Sequence, residues 1–216
     1  MAGPAEVIEL APPLGEVGPL DAGLTPVAAD IEVSDVGPPA AIGFDSPLGW
    51  MVIEADGLGL RALRWGEGAV PGGGAMNEGA ALLVEARDQV RAYFEGRLRR
   101  FTLPLAPRGT RFQRAVWGFI NDIPFGFTLT YGELAALVGS GPRAVARACG
   151  ANPLPLIIPC HRIVGANPGA GGYSAPGGLE TKRFLLGLEG AGQRPGRLGL
   201  VPRTRLRAAA QPSLEF

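Results

Sequence analysis

The stretch FDSPLGWMVIEADGLGLRALRW, residues 44–65, holds two apolar runs, 49–54 and 58–65, separated by Asp56-Gly57. An Asp-Gly pair between strand-like runs is a strong hairpin signal, because both residues tolerate the left-handed backbone of a tight turn. An antiparallel sheet is therefore predicted to begin here. After a glycine-rich loop at 71–74, Leu82, Leu83, Ala86, Val90, Tyr93 and Phe94 recur near helical spacing, and Gly96 offers a stop. Sheet and helix together form one small unit ending near residue 105.

The next segment, GTRFQRAVWGFINDIP, spaces Phe112, Val116, Trp117 and Ile120 as one helical face behind a capping Thr110. TYGELAALVG and RAVARACGAN then read as two short helices separated only by Ser140, Gly141 and Pro142. So short a turn fits a helix-turn-helix, and equally any helical hairpin. Small residues at Ala144, Ala146, Ala148 and Gly150 let the second helix approach something closely, whether DNA or a neighbouring helix. PLPLIIP reads as a buried strand ending at Cys160, followed by a glycine-rich loop over 165–178 and a helix in ETKRFLLGLEG. The fold class is α+β.

Composition narrows the function. With 216 residues, 46% of them hydrophobic, the chain can bury a real core in one large or two small domains. No segment reaches the roughly 18 uninterrupted apolar residues of a membrane span, and MAGPAEVIEL lacks the pattern of a secretory signal, so a cytoplasmic protein without membrane partners is expected. One histidine and two cysteines make neither a zinc site nor a disulfide framework, and no metal or cofactor is expected. The zero net charge hides an asymmetry. Residues 1–40 carry seven acids and no Lys or Arg, leaving 20 basic and 13 acidic residues in 41–216, a balance suited to a polyanion such as nucleic acid. The Pro-, Gly- and acid-rich start reads as an extension over 1–42, and residues 191–216, with five arginines against one acid, as a basic tail.

The only histidine, His161, directly follows Cys160 in LIIPCHRIVG. A thiol titrates near 8.5 and only the thiolate is a good nucleophile, so a reactive cysteine needs a base or a positive neighbour. His161 and Arg162 are the nearest in sequence. Adjacent side chains on a strand point to opposite faces, however, so His161 needs a sharp bend or a bridging water to take the thiol proton. Pro159 makes such a bend plausible, and a buried structural cysteine stays open as the alternative.

The stretch NPLPLIIPCHRIVG resembles the active-site segment of the O6-alkylguanine-DNA alkyltransferases, also called methylated-DNA–protein-cysteine methyltransferases. FQRAVWGFINDIPFGFTLTYGELAALVG is similar to that family's helix, IPxG turn and first helix of the helix-turn-helix. RAVARACGANP resembles its recognition helix, and GGYSAPGGLETKRFLLGLE its closing loop and last helix. The similarity covers about 110–190 with high specificity and 43–105 loosely.

The resemblance implies an N-terminal antiparallel-sheet and helix domain over 43–105 and a winged-helix-like helix-turn-helix domain over 106–190. It implies that Cys160 takes an alkyl group from O6-alkylguanine, or O4-alkylthymine, in double-stranded DNA in a single turnover by a monomeric protein. His161 matches the water-mediated base, Glu189 the carboxylate that holds it, and Tyr131 the donor to a ring nitrogen of the leaving guanine. Asn152 matches the brace before the active-site segment, and Ile163, Tyr173 and Ser174 match the base pocket. The recognition helix, with Arg143, Ala144, Ala146, Arg147 and Gly150, would enter the minor groove, Arg143 filling the space of a flipped-out base. Cys149 is expected to be buried and inert. Three departures stand out: a link between Tyr131 and Arg143 about two residues shorter than usual, an Ala175-Pro176 insertion, and Phe127 where an acid is common. A lesion-binding protein without transfer, a Cys-His-Glu hydrolase and a transcription regulator are the competing readings.

Overall fold

A computed structural model describes residues 40–66, 78–166 and 172–191, which fall in one compact unit. The loop at 71–74, the expected extension up to residue 39 and the basic tail beyond Ala191 lie outside the described residues. The elements form an α+β arrangement, a three-stranded antiparallel sheet followed by helices.

The sheet runs β1 (Ala40–Ser46), β2 (Gly49–Asp56) and β3 (Gly59–Trp65) in that order. The hairpin closes where expected, Asp56 pairing with Gly59. Asp56 Oδ1 accepts from the Leu58 amide at 2.9 Å, the side-chain turn bond that favours Asp at this place. The first strand was not legible, since its Ala, Ile and Gly follow a Pro-rich run with no alternation. Helix α1 (Glu78–Phe94) packs across β1 and β2, burying Leu83, Ala86, Val90 and Tyr93 against Phe44, Met51 and Ile53.

β3 is an edge strand whose free side is covered by the rest of the chain. Its Leu60 amide donates to the Pro104 carbonyl and its Leu63 amide to the Pro153 carbonyl, both at 2.9 Å. Covering an edge removes its capacity for unwanted pairing, and here it also ties the sheet to the segment that carries the thiol. Gly59, at φ +143°, is needed there, because a Cβ would lie 2.6 Å from the Pro104 oxygen.

Helix α2 (Arg111–Asn121) starts at Thr110 with a capping box to Gln113. It buries Val116, Trp117 and Ile120, while Phe112, expected inside, is 36% exposed on the first turn. β4 (Leu129–Thr130) leads into α3 (Tyr131–Leu137), capped by Thr130 and Glu133. Helix α4 (Pro142–Gly150) begins with proline at its first position, where no amide partner is required. The Trp117 indole donates to the Ala148 carbonyl at 2.8 Å, fastening α4 to α2. β5 (Ile163–Val164) pairs in parallel with β4, and α5 (Leu179–Leu188) closes the described chain. Both halves share one hydrophobic cluster.

Candidate active site

The apolar run before Cys160 is buried as expected but is not a strand, which corrects that expectation. Pro153, Pro155 and Pro159 lack amide donors, so no ladder can form along it. Asn152 supplies the missing bonds: its Nδ2 donates to the Ile158 carbonyl at 2.8 Å and its Oδ1 accepts from the Leu154 amide at 3.0 Å. Burial of Leu154, Leu156, Ile157 and Ile158 holds the loop in place, including Leu156 at the left-handed φ of 76°. A buried non-glycine residue in that region costs on the order of 1–3 kcal/mol, and such strain persists only where the surroundings over-determine it.

Cys160–Arg162 then forms one 3₁₀ turn after Pro159. At three residues per turn the three side chains leave in three directions, which is the departure from strand geometry that the chemistry requires. His161 is wholly buried, and its Nε2 lies 2.8 Å from Glu189 Oε1. Glu189, the C-cap of α5, also accepts from the Tyr93 hydroxyl at 2.8 Å, the Gly126 amide at 3.1 Å and Arg162 Nε and Nη2, both at 2.9 Å. Gly126 belongs to the IPFG turn at φ +80°, and a Cβ there would lie 3.0 Å from the Glu189 carbonyl oxygen.

Burial opposes ionisation of Glu189, yet the hydrogen bonds from His161 and Arg162 hold its carboxyl at about 2. An ionised carboxylate only accepts, so Nε2 carries the imidazole proton and Nδ1 keeps a free lone pair. Nδ1 is buried and has no hydrogen-bond partner among the described residues. Burial also lowers the His161 pKa, against the pull of Glu189, keeping the ring neutral at pH 7. The result is an oriented, uncharged imidazole on the residue next to Cys160. Arg162 serves the carboxylate rather than the thiol.

The Cys160 thiol is pushed up by burial, an effect that a hydrogen bond from Asn152 and the charge of Lys182 partly offset. A resting thiol is the consequence, activated when a base takes its proton. Lys182 is 5% exposed, donates to the Ile163 carbonyl at 2.6 Å, and sits 5.8 Å above the Tyr131 ring. Burial pushes the Tyr131 hydroxyl up to about 12, so it remains a donor at neutral pH.

Cys160 lines two cavities. One, of about 290 Å³, is walled by Tyr131, Ala146, Cys149, Gly150, Tyr173 and Ser174, and so joins residues expected in the base pocket to the small residues of α4. The other, of about 360 Å³, opens between Ala62–Trp65 of β3, Asn152, Pro155 and Ala175-Pro176. Ser174 Oγ donates to the Gly150 carbonyl at 3.4 Å, and the Tyr173 ring meets His161 edge to face at 6.4 Å. Ile163 is fully buried in β5 and lines neither cavity. Cys149 is 7% exposed, and burial pushes its thiol up to about 12.

On α4 the buried side is Val145, Ala148 and Cys149. Arg143, Ala146, Arg147 and Gly150 are exposed, and Ala144 is half-buried. The outward face thus carries two cations and two small residues at helical spacing, able to reach phosphates while the backbone comes close.

The DNA-binding domain of 6-O-methylguanine DNA methyltransferase matches residues 111–191, and the ribonuclease-like domain of the same protein matches 43–107. The chain belongs to this family. The methylated-DNA–protein-cysteine methyltransferase of Methanosarcina acetivorans is 42% identical over 154 residues, covering 68% of this chain and 96% of that relative. The constitutive enzyme of Bacillus subtilis is 44% identical over 109 residues, 50% of this chain and 66% of the relative. Among solved structures, the Mycobacterium tuberculosis O6-methylguanine methyltransferase aligns with TM-score 0.60 at 36% identity, covering 74% of this chain and 98% of that one. Mycobacterium tuberculosis OGT in complex with DNA aligns with TM-score 0.59 at 40% identity, covering 69% and 92%.

Sequence reasoning missed two partners in the site of this methyltransferase-family chain. Tyr93 looked like one more inward residue of α1, and nothing local marks its hydroxyl. Lys182 did carry a signal, as the only lysine of the chain.

Proposed function

We propose that Cys160 attacks the alkyl carbon of O6-alkylguanine, or of O4-alkylthymine, in double-stranded DNA and keeps the group as a thioether. Direct-reversal repair by alkyl transfer to a cysteine is the activity of the family, and DNA is its partner. The observation that carries the assignment is the His161–Glu189 pair, with His161 in the same turn as Cys160 and its Nδ1 unprotonated and unpartnered among the described residues.

The Cys160 proton passes to His161 Nδ1 through one bridging water, the sulfur–carbon bond forms as the carbon–O6 bond breaks, and Glu189 stabilises the imidazolium. Tyr131 donates its proton to a ring nitrogen as the guanine leaves, so the base departs neutral rather than anionic; the phenolate then regains a proton from water and the His161 imidazolium returns one to water. Nothing removes the thioether, so each molecule acts once. Arg143 fills the space of the flipped base, the face through Ala144, Ala146, Arg147 and Gly150 follows the minor groove, and Tyr173 and Ser174 form the base pocket.

The domain division, 43–105 for the sheet and helix and 106–190 for DNA binding and transfer, is supported by the two family matches. The reading includes a monomer acting in the cytoplasm. Incubation with a duplex carrying one O6-methylguanine, followed by intact and peptide mass spectrometry, tests the chemistry. One added methyl on Cys160, stopping at one equivalent and absent from Cys160→Ala, is the expected result. Lesion binding without mass gain would replace it with the sensor reading, and ester turnover with the hydrolase.

A further inference from the structure

Tyr93 lies 96 positions before Glu189, on the helix that packs against the sheet, yet its hydroxyl donates to Glu189 Oε1 at 2.8 Å. The same oxygen faces His161 Nε2. A core position on the same inward face of α1 as Leu83 and Val90 has no need of a hydroxyl. Phenylalanine would fill it without burying a polar group that must then find a partner. The Tyr93 ring is fixed on three sides, with centroids 5.5 Å from Phe94, 5.6 Å from Phe101 and 6.1 Å from Phe125 of the IPFG turn. Its side chain is fully buried, and burial together with the nearby Glu189 charge raises its pKa, so it stays a donor.

We propose that Tyr93 is a positioning residue of the alkyl-transfer site: its hydroxyl holds Glu189 Oε1 where it fixes His161 as an Nε2–H donor, leaving Nδ1 free to accept. It acts through Glu189 and His161 and touches neither DNA nor the thiol. The inference rests on His161 being the base of the proposed reaction. The groups facing this pair are Arg162 from the same turn, the Gly126 amide, Lys182 of α5, and Tyr173 beside the ring. Among these described groups, only Tyr93 comes from the sheet-bearing half.

His161 is the only histidine, so imidazole ¹⁵N resonances of the full chain report its titration without assignment. Removing the hydroxyl in Tyr93→Phe leaves more charge on Oε1 for the imidazolium. The His161 midpoint should rise by about half a pH unit or more. The acid limb of the single-turnover rate should move with it, while affinity for duplex DNA stays the same. A midpoint that does not move, with only melting temperature lowered, would mean that Tyr93 is merely structural and overturn the proposal. Phe101→Leu, which loosens the same packing without touching the hydroxyl, is expected to lower stability and leave the midpoint in place; an equal shift there overturns it too. Should Tyr93→Phe not fold, the unaltered protein still decides, because a slowly exchanging Tyr93 hydroxyl proton close to the His161 ring is required. If the unaltered chain transfers no alkyl group, the function fails, but the titration still judges Tyr93.

Discussion

The sheet with α1 and the loop from Asn152 to Val164 are buried to similar degrees and held by opposite means. In the sheet, regular ladders satisfy the backbone and apolar side chains such as Met51, Ile53 and Val90 fill the space, all at 0% exposure. In the loop, three prolines forbid a ladder, and side chains do the satisfying: Asn152 bridges the turn while Glu189 gathers Tyr93, Gly126, His161 and Arg162. Regular structure tolerates changes that keep volume. A buried polar network does not, since losing one member leaves the others unpaired. The difference explains why the chemistry sits where it does, for a loop held by side chains can aim a thiol and an imidazole in directions a strand cannot.

The largest effect is expected for Glu189→Gln, which strands the Arg162 guanidinium in the interior. Breaking a buried pair from one side costs about 3–5 kcal/mol, to be read by urea denaturation. The alkyl-transfer rate of the folded fraction should fall about 100-fold or more, as the base loses its orientation. Ile53→Ala should cost a comparable ~2–5 kcal/mol through a cavity under the sheet, but leave that rate unchanged. Should Ile53→Ala slow transfer as much as Glu189→Gln, the contrast between the regions collapses.

Acid should find the same weak point. Burial lowers His161 below its ordinary 6.5, and Glu189 is held at about 2 against an ordinary 4.5. Both folded values are depressed, so both contributions are full above the unfolded value and are lost as pH falls. Stability should decline from about pH 6.5 through His161 and again below about 4.5 through Glu189. Glu189→Gln should abolish the second decline. Denaturation curves flat from pH 7 to 3 in the unaltered chain would contradict this.

Legibility followed the same division. The hairpin at Asp56-Gly57, the inward face of α1, the Thr110 cap and the two helices around Pro142 were readable because period and turn chemistry are local properties. The loop was misread as a strand because a run of Leu and Ile looks alike in either state, and its prolines were the signal to weigh. His161 was readable as the lone histidine beside Cys160, but Glu189 and Asn152 were found only through resemblance, since Glu189 meets His161 across 28 positions. Tyr93 and Lys182 escaped both routes. A hydroxyl or an ammonium aimed inward leaves the apolar pattern around it intact.

Asn152→Ala tests the loop at smaller amplitude. It leaves the Ile158 carbonyl and the Leu154 amide without their partner, at a cost of about 1–3 kcal/mol. Because the loop ends at the nucleophile, the transfer rate should drop as well, and a stability loss with full rate would show that Cys160 is placed by the 3₁₀ turn alone.

The smallest effect on stability is expected at Arg143→Ala, where the side chain is exposed on α4. Such a change stays within about 0.5 kcal/mol. Its effect on repair should nonetheless be large, because flipping a paired base costs a few kcal/mol and in the proposed function the arginine stands in for what is lost. The comparison to make is between substrates: transfer from duplex O6-methylguanine should slow markedly, while transfer from the free base should not change. An equal loss on both would place Arg143 among the residues that shape the pocket. A selective loss would separate the two duties of the helical half, with the buried network setting the reactivity of the thiol and the exposed face of α4 setting access to it.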